Sequence, residues 1–390
     1  MRVDVKPDFL LWACERSRRS IGELAERKSF SKLPDWISGE ARPTFKQLEK
    51  FAQATYTPFG YFFLPEPPKE SIPIPDLRTV GNQYIGRPSP DLLDTIHAMQ
   101  RRQAWFHEDL IECEAEPLDF VGSARTEDDS QGVGREMRRM VGLDDGWAAK
   151  VRTWQEAVSE LRRAIEHLGV MAVINGVVGN NTHRKLDVGE FRGFALSDKY
   201  APLVFVNGAD AKSAQMFTLV HELAHIWLGE SALTDTGLIS QPSQETVPAG
   251  RQVESWCDRA AAEFLVPARE LKAYWREVRH AEAPFDAIAR HFKVSPIVAG
   301  RRAMDLRMVD RETFFAFYHE YIAKERRRSP AGAGGDFYNN QNTRVGERFA
   351  TQVIFAAKSG RVSFKEAYDL TGLRGGAFQE YAYRLGADLP

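Results

Sequence analysis

Residues 217–231 read FTLVHELAHIWLGES, and this stretch decides what fold the chain can build around it. Its apolar residues recur at helical spacing, which predicts an α-helix over residues 213–229 with one face in a core and Gly229 at its end. His221 and His225 lie four residues apart, so a helix places both imidazoles on one face. The pattern therefore predicts two histidines that meet beside a buried helix.

Two imidazoles at this spacing can bind one metal ion. Residues four apart on a helix have Cβ atoms about 5–6 Å apart, so both rings can reach a zinc ion at about 2.0–2.1 Å. Glu222 follows the first histidine and is the candidate general base, because zinc lowers the pKa of a neighbouring water. The alternative is a solvated helix face that carries the His-Glu-x-x-His pattern by chance.

A second helix, predicted over residues 252–266 and ended by Pro267, offers a third ligand. Glu254 is the candidate ligand. Asp258 lies one turn later, where its carboxylate can accept a hydrogen bond from the other nitrogen of a ligand histidine. Without the first motif, these two residues would be an ordinary polar stripe.

Three short apolar runs precede the first of these helices. They span residues 169–174, 191–196 and 202–206, are rich in Val, Phe and Ile, and are separated by turn residues. We predict a strand in each. The fold class expected is therefore helix-rich α+β, with a sheet of three strands or slightly more and with all-α modules at both ends of the chain.

At this point the sequence resembles a known family. FTLVHELAHIWLGES and VESWCDRAAAEFLVP (residues 253–267) are similar to the two motifs of the ImmA/IrrE zinc metallo-endopeptidases. EFRGFAL (190–196) and APLVFVN (201–207) resemble the strands of that family. The resemblance implies a zincin-like domain of the gluzincin type. Its site residues would be the zinc ligands, the general base and the residue that orients a ligand histidine: His221, His225, Glu254, Glu222 and Asp258. Val266 and Ala224 depart from the common pattern, which often has Met and Gly at these positions.

The resemblance also implies that a peptide binds in extended form along an edge strand above the metal. We nominate residues 191–196 as that strand. Oxyanion stabilisation needs a further donor from a neighbouring loop, although each candidate is otherwise an ordinary surface or packing residue. The substrate-binding candidates are Phe191, Arg192, Gly193, Phe194, His183 and Tyr200.

WISGEARPT (residues 36–44), preceded by SIGELAERKSF, resembles the helix-turn-helix of the Xre/Cro repressors. The DNA-binding candidates are Lys28, Lys32 and Arg42. Residues 1–80 hold 13 Lys and Arg against 11 Asp and Glu, a net charge of only +2, which is weak for a DNA clamp. The alternative is a helical module that docks a protein partner.

The composition of the 390 residues and the positions of proline and glycine indicate the protein class and the domain boundaries. A net charge of −2, three scattered cysteines and the lack of a long apolar run exclude a basic nucleic-acid coat, a disulfide scaffold and a membrane span. No secretory signal is visible, so we expect a cytoplasmic protein. The predicted parts are a helix-turn-helix module (1–65), a proline-rich linker (66–90), a peptidase domain (91–310, core 155–270), a helix with a glycine-rich hinge (311–335) and a small helical module (336–390).

The function that these features predict is a zinc-dependent endopeptidase, with Mn²⁺ as the alternative ion. The resemblance implies that the substrate is a cytosolic repressor or antitoxin-like regulator, cut in a stress or mobile-element response. A second interpretation is a non-proteolytic transcriptional regulator or antitoxin that binds DNA or a toxin and uses the zincin fold for binding or sensing. A third is a zinc hydrolase of a small amide. The sequence leaves the oligomeric state, the trigger and the substrate open.

Overall fold

The computed structural model describes residues 1–77, 87–234, 249–325 and 337–387. The chain divides into two compact units. Met1–Pro73 and Asn82–His97 form the first unit, and Ile74–Gly81 and Ala98–Pro390 form the second. Parts of the predicted linker (66–90) and of the predicted hinge (311–335) lie outside the described residues. The five predicted domain boundaries stay predictions.

The first unit is helical where the sequence predicts short helices. Thr44 caps the fourth helix with a reciprocal bond to Gln47, and Ser20 caps the second, so local capping chemistry fixes where these helices begin. Its core is a cluster of apolar side chains around Phe9, Trp36 and Phe51. The helices before residue 64 are α1 (Pro7–Arg16), α2 (Ile21–Ala25), a 3₁₀ helix (Lys28–Phe30), α3 (Leu33–Ser38), α4 (Phe45–Ala54) and a 3₁₀ helix (Phe59–Phe63).

Helix α5 (Pro90–Glu112) crosses the division between the units, and the remaining helices belong to the second. They are α6 (Ser130–Val141), α7 (Trp147–Lys150), α8 (Trp154–His167), α9 (Lys212–Leu228), α10 (Ala249–Leu265), α11 (Ala268–Val278), α12 (Pro284–Phe292), α13 (Pro296–Asp305), α14 (Arg311–Glu325), α15 (Phe337–Val345), α16 (Glu347–Lys358), α17 (Phe364–Thr371) and α18 (Gly376–Arg384). Among the described residues, no helix combines the length and apolar character needed to cross a membrane.

The second unit contains a four-stranded mixed sheet in the order β1-β5-β4-β6 and a separate hairpin of β2 and β3. β1 is parallel to β5, whereas β4 is antiparallel to both of its neighbours. The strands are β1 (Met171–Asn175), β2 (Val177–Val178), β3 (Asn181–Lys185), β4 (Gly193–Leu196), β5 (Leu203–Asn207) and β6 (Ala232–Thr234). The helix-rich α+β class is therefore confirmed, with one strand more than the three predicted in this sheet.

The prediction that residues 191–196 form an open edge strand is wrong. β6 returns after α9 and pairs with β4, with Phe194 opposite Leu233, so β4 has a partner on each side. Phe191 and Phe194 are fully buried and stack with Phe205. Their side chains are consequently part of the core and offer no surface to a peptide.

Helix α9 forms the centre of the second unit. It packs against β4 and β5 on one side and against α10 on another, and residues 215–227 are all buried. Gly229 ends it in the left-handed conformation that the sequence predicts for a helix C-terminus. A helix buried all round carries polar side chains only at a cost, so each polar residue on α9 needs a compensating partner.

Candidate metal centre

Helix α9 brings the two histidines together as the spacing predicts. His221 and His225 have no solvent exposure, and their Nε2 atoms lie 3.3 Å apart. Residues four apart lie on one face of a helix, so their imidazoles can converge on the same volume. The ring of His221 also leans against Phe217, at a centroid distance of 6.2 Å.

Helix α10 supplies the third group at this position. Glu254 Oε2 lies 3.2 Å from His221 Nε2, and Oε1 lies 3.2 Å from His225 Nε2. Three ligand atoms around a tetrahedral zinc ion at about 2.0–2.1 Å lie about 3.3 Å from one another. Among the described residues, these three offer ligand atoms close enough together that they could hold a metal ion. Two imidazoles and a carboxylate at these separations therefore fit a metal ion.

Asp258 holds the outer nitrogen of the first histidine. Its Oδ1 lies 3.0 Å from His221 Nδ1, so the carboxylate is within reach of a proton on Nδ1, and a proton there would leave the Nε2 lone pair free for a metal ion. The side chain of Asp258 is 40% exposed, whereas that of Glu254 is 15% exposed. The two carboxylates of α10 thus have different positions, one inside the group and one at its outer rim.

Glu222 lies beside the group, enclosed by residues from two strands. It is fully buried, and its Oε1 accepts a hydrogen bond from Thr234 Oγ1 of β6. Its Oε2 has no hydrogen-bond partner among the described residues. A buried carboxylate oxygen left without a partner is costly, and it is expected where a ligand or substrate completes the site.

Gly193 of β4 makes the space that Glu222 occupies. A Cβ atom at this position would lie 2.7 Å from Glu222 Oε1 and 2.6 Å from Thr218 Cγ2, which is too close for any side chain. Gly193 was predicted to bind substrate, and the structure gives it a second reason to be glycine. Sequence reasoning missed Thr234, because a lone threonine twelve residues after Glu222 carries no pattern.

The electrostatics of the group follow from burial and from its own charges. Burial raises the pKa of Glu222 to about 8, against the opposing effect of His221. Burial also acts to raise the pKa of Glu254, but the two histidines outweigh it and lower the pKa to about 2. The carboxylates of Glu254 and Asp258 raise the pKa of His221 well above its ordinary value, despite its burial. Glu254 is thus held as an anion, whereas a cation bound in the group would oppose the effect of burial and favour the ionised form of Glu222.

The other predicted substrate residues lie in varied surroundings. Arg192 Nη1 lies 3.1 Å from Asp210 Oδ2. Tyr200 packs edge-on against His107, with ring centroids 5.3 Å apart. His183 is exposed on β3. Their roles in substrate binding stay predictions.

The residues predicted to bind DNA are exposed in the first unit. Lys28 begins a 3₁₀ helix, Lys32 directly precedes α3, and Arg42 Nε lies 3.6 Å from Asp4 Oδ1. The helix preceding Gly39 spans only Leu33–Ser38. DNA binding by these side chains stays a prediction.

Comparison with known proteins agrees with the chemistry of the group. Residues 167–304 match the family model Peptidase_M78, described as an IrrE N-terminal-like domain, and this range contains His221, Glu222, His225, Glu254 and Asp258. Residues 345–384 match a domain of unknown function, DUF8813. No curated protein and no solved structure matches the chain. The first match supports the ImmA/IrrE resemblance and a peptidase in general.

Proposed function

We propose that the chain is a zinc-dependent endopeptidase in which His221, His225 and Glu254 hold the metal and Glu222 is the general base. The observation that supports this most directly is the convergence of two imidazole nitrogens and the two oxygens of one carboxylate, 3.2–3.3 Å apart, inside a buried site. An ordinary structural ion pair does not need two imidazole nitrogens and a carboxylate to converge on one point. The family match over residues 167–304 supports the same chemistry.

When bound, zinc polarises a peptide carbonyl and lowers the pKa of a neighbouring water. The residues of the chain then have separate tasks. Glu222 accepts a proton from water at Oε2, the oxygen without a hydrogen-bond partner among the described residues, and passes it to the departing amine. Thr234 holds Oε1 and fixes the direction of the carboxylate. Asp258 keeps the ring of His221 in one tautomer and orientation.

The substrate class is part of the proposal. The resemblance to ImmA/IrrE peptidases supports a repressor or antitoxin-like protein as the target, with DNA contact through the first unit as a separate expectation. A non-proteolytic regulator that uses the same group to sense metal is the competing interpretation. It differs in one respect that can be measured, since it needs the metal but not the carboxylate of Glu222.

The first experiment measures metal content by elemental analysis on chains purified without a metal-binding tag. We expect one zinc per chain in the wild type and in Gln252→Ala, an exposed position on α10. His221→Ala and Glu254→Ala should each lose it. Manganese in place of zinc would change the ion but keep the site. Retention of metal in both ligand variants would contradict the proposed centre.

The second experiment tests the base. Metal-loaded protein is incubated with a library of internally quenched peptides, and Glu222→Gln is compared with Glu277→Gln, an exposed glutamate on α11. Glu222→Gln should keep the metal and lose cleavage by about 10²–10⁴-fold, the usual contribution of general acid–base catalysis. Cleavage at the wild-type rate by Glu222→Gln would refute the assigned mechanism.

A further inference from the structure

The outer edge of β6 is occupied by another part of the same chain. Leu77 N–H donates to Leu233 O at 3.0 Å, and Leu233 N–H donates to Pro75 O at 2.9 Å. Asp76 is thereby paired with Leu233 in parallel orientation. We name residues 74–77 the strap. It comes from the proline-rich stretch that precedes the second unit, some 155 residues before β6 in the sequence.

The strap lies beside the elements that build the metal centre. Its Ile74 is buried, and Leu77 packs against the core of the second unit. A Cβ atom at Gly250 would lie 3.1 Å from Leu77 Cδ2, and Gly250 is one turn before Glu254 on α10. On the other side, Thr234 at the end of β6 donates to Glu222. The strap therefore bridges the strand and the helix that hold the base and the third ligand.

We infer, on the basis of the proposed peptidase function, that the strap is an autoinhibitory segment that must leave before an extended protein substrate can bind. A peptide that adds to the free edge of β6 would use the N–H and C=O of Leu233. Both groups are already bonded to the strap. Since each can serve one strand at a time, strap and substrate exclude each other.

Covalent attachment gives the strap an advantage over a free peptide. A tethered segment has an effective concentration of about 1 mM, so a free substrate at micromolar concentration is outcompeted by about 10³-fold for equal intrinsic affinity. On the amino-terminal side of the strap, Glu70, four residues before Ile74, is held within the first unit. Arg16 Nε and Nη2 donate to its two oxygens at 2.6 and 2.9 Å.

Prolines in and beside the strap limit its hydrogen bonding to β6. Pro75 has no N–H to donate, so it supplies only its carbonyl to β6 and cannot extend the pairing by a second donor. Pro73, two residues earlier, likewise has no N–H with which to pair with a strand. Two backbone hydrogen bonds join the segment to β6, and Ile74 and Leu77 add apolar contacts.

The test compares full-length variants that release the strap. Ile74→Asp with Leu77→Asp places charge at both apolar contacts, and Leu77→Pro removes the N–H donor without adding charge. Ser71→Asp is the matched control, because it adds the same carboxylate to an exposed position outside the strap. Metal content and circular dichroism establish that each variant is folded. Where the double variant does not fold, Leu77→Pro serves in its place.

Two measurements follow. The released variants should cleave the quenched-peptide library at least tenfold faster than the wild type and Ser71→Asp, and Glu222→Gln added to them should abolish the gain. The peptide SIPIPDL, residues 71–77, added at about 1 mM should inhibit the released variants, whereas a scrambled peptide of the same composition should not. Hydrogen exchange at the Leu233 amide should be at least tenfold faster in the released variants and slow again with SIPIPDL.

The outcomes separate the two proposals. Equal cleavage by the wild type and by released variants whose Leu233 amide exchanges quickly would overturn the inhibitory role and leave the peptidase intact. No cleavage by any metal-loaded variant would overturn the peptidase and, with it, inhibition. In that case, renewed protection of Leu233 by SIPIPDL would still identify the edge of β6 as a peptide-binding surface. Slow Leu233 exchange in every variant would show that the strap does not cover it.

Discussion

Two glutamates on α10 are both withdrawn from solvent, but they meet opposite kinds of partner. Glu263 faces cations: Arg302 Nη2 donates to Oε2, Arg135 Nη1 lies 3.4 Å from Oε1, and Ala268 N–H adds a third donor. Its charge is neutralised by the protein itself. Glu254, nine residues earlier, faces the Nε2 atoms of two histidines and no arginine or lysine among its described contacts.

The difference separates a structural carboxylate from a candidate metal ligand. An arginine is always charged and satisfies a buried carboxylate permanently, whereas an imidazole offers either a proton or a lone pair. Two imidazoles and one carboxylate can share a metal ion, which would supply the positive charge that no arginine or lysine supplies among the described contacts of Glu254. Burial alone would have ranked the two glutamates as equals, and the chemistry of their partners is what distinguishes them.

Substitution of Glu263, the structural carboxylate of the two, should cause the largest loss of unfolding free energy. Glu263→Ala leaves the buried guanidinium of Arg302 without its counter-charge, which typically costs about 3–5 kcal/mol. We expect a loss of unfolding free energy in that range, measured from the urea midpoint and the slope of the transition. The loss should be the same with zinc and with a chelator, because Glu263 does not contact the metal group.

Glu254→Ala is the matched contrast on the same helix. Its stability loss should be present with zinc and largely absent with chelator, because a bound ion stabilises only the folded chain that can hold it. If chelator removed the cost of Glu263→Ala instead, the two glutamates would not have the separate roles that their partners indicate.

The next effect concerns Glu166, another buried glutamate, which pairs with Arg162 Nη1 at 2.5 Å and accepts a hydrogen bond from Glu347 N–H at 2.9 Å. Burial raises its pKa from 4.5 to about 7, because it outweighs the opposing effect of Arg162. The carboxyl group of Glu166 therefore binds its proton more tightly in the folded chain than in the unfolded chain. The resulting contribution to the free energy of unfolding is complete below pH 4.5 and declines as the pH rises to 7, by about 3 kcal/mol in total.

Urea unfolding of the wild type and Glu166→Gln between pH 4.5 and 8 measures this contribution. The variant, which cannot ionise at this position, should lack that part of the pH dependence. An identical slope in both proteins would show that Glu166 titrates normally and that pairing with Arg162 determines its charge.

The sequence predicts most of the centre and only part of its surroundings. His221, His225 and Glu222 are local, since one helix with a fixed period places them, and Glu254 with Asp258 obeys the same period on a second helix. The strands β1, β4 and β5 follow from apolar runs. The contact between α9 and α10 depends on packing between residues far apart in the sequence. Only the family resemblance predicted that contact.

The remainder depends on non-local pairing. β6 is three residues long, too short to show alternation, and its pairing with β4 is what makes the predicted edge strand an inner one. The strap lies in a stretch where prolines predict only the lack of a helix. Thr234 contacts Glu222 only because that unpredicted strand exists.

Substitution of Asp258 should have a smaller effect than loss of a ligand, because this residue orients a ligand histidine and does not itself bind the metal. Asp258→Asn keeps the size of the side chain and one acceptor oxygen for His221 Nδ1, but it removes the charge that makes the imidazole a better ligand. Loss of such a partner costs about 10–100-fold in metal affinity, so we expect zinc to bind within that range more weakly, measured by competition with a chromophoric chelator. Gln252→Ala on the same helix should not change the affinity. A loss as large as that of Glu254→Ala would make Asp258 a ligand itself, and no change would make its 3.0 Å contact with His221 incidental to the metal.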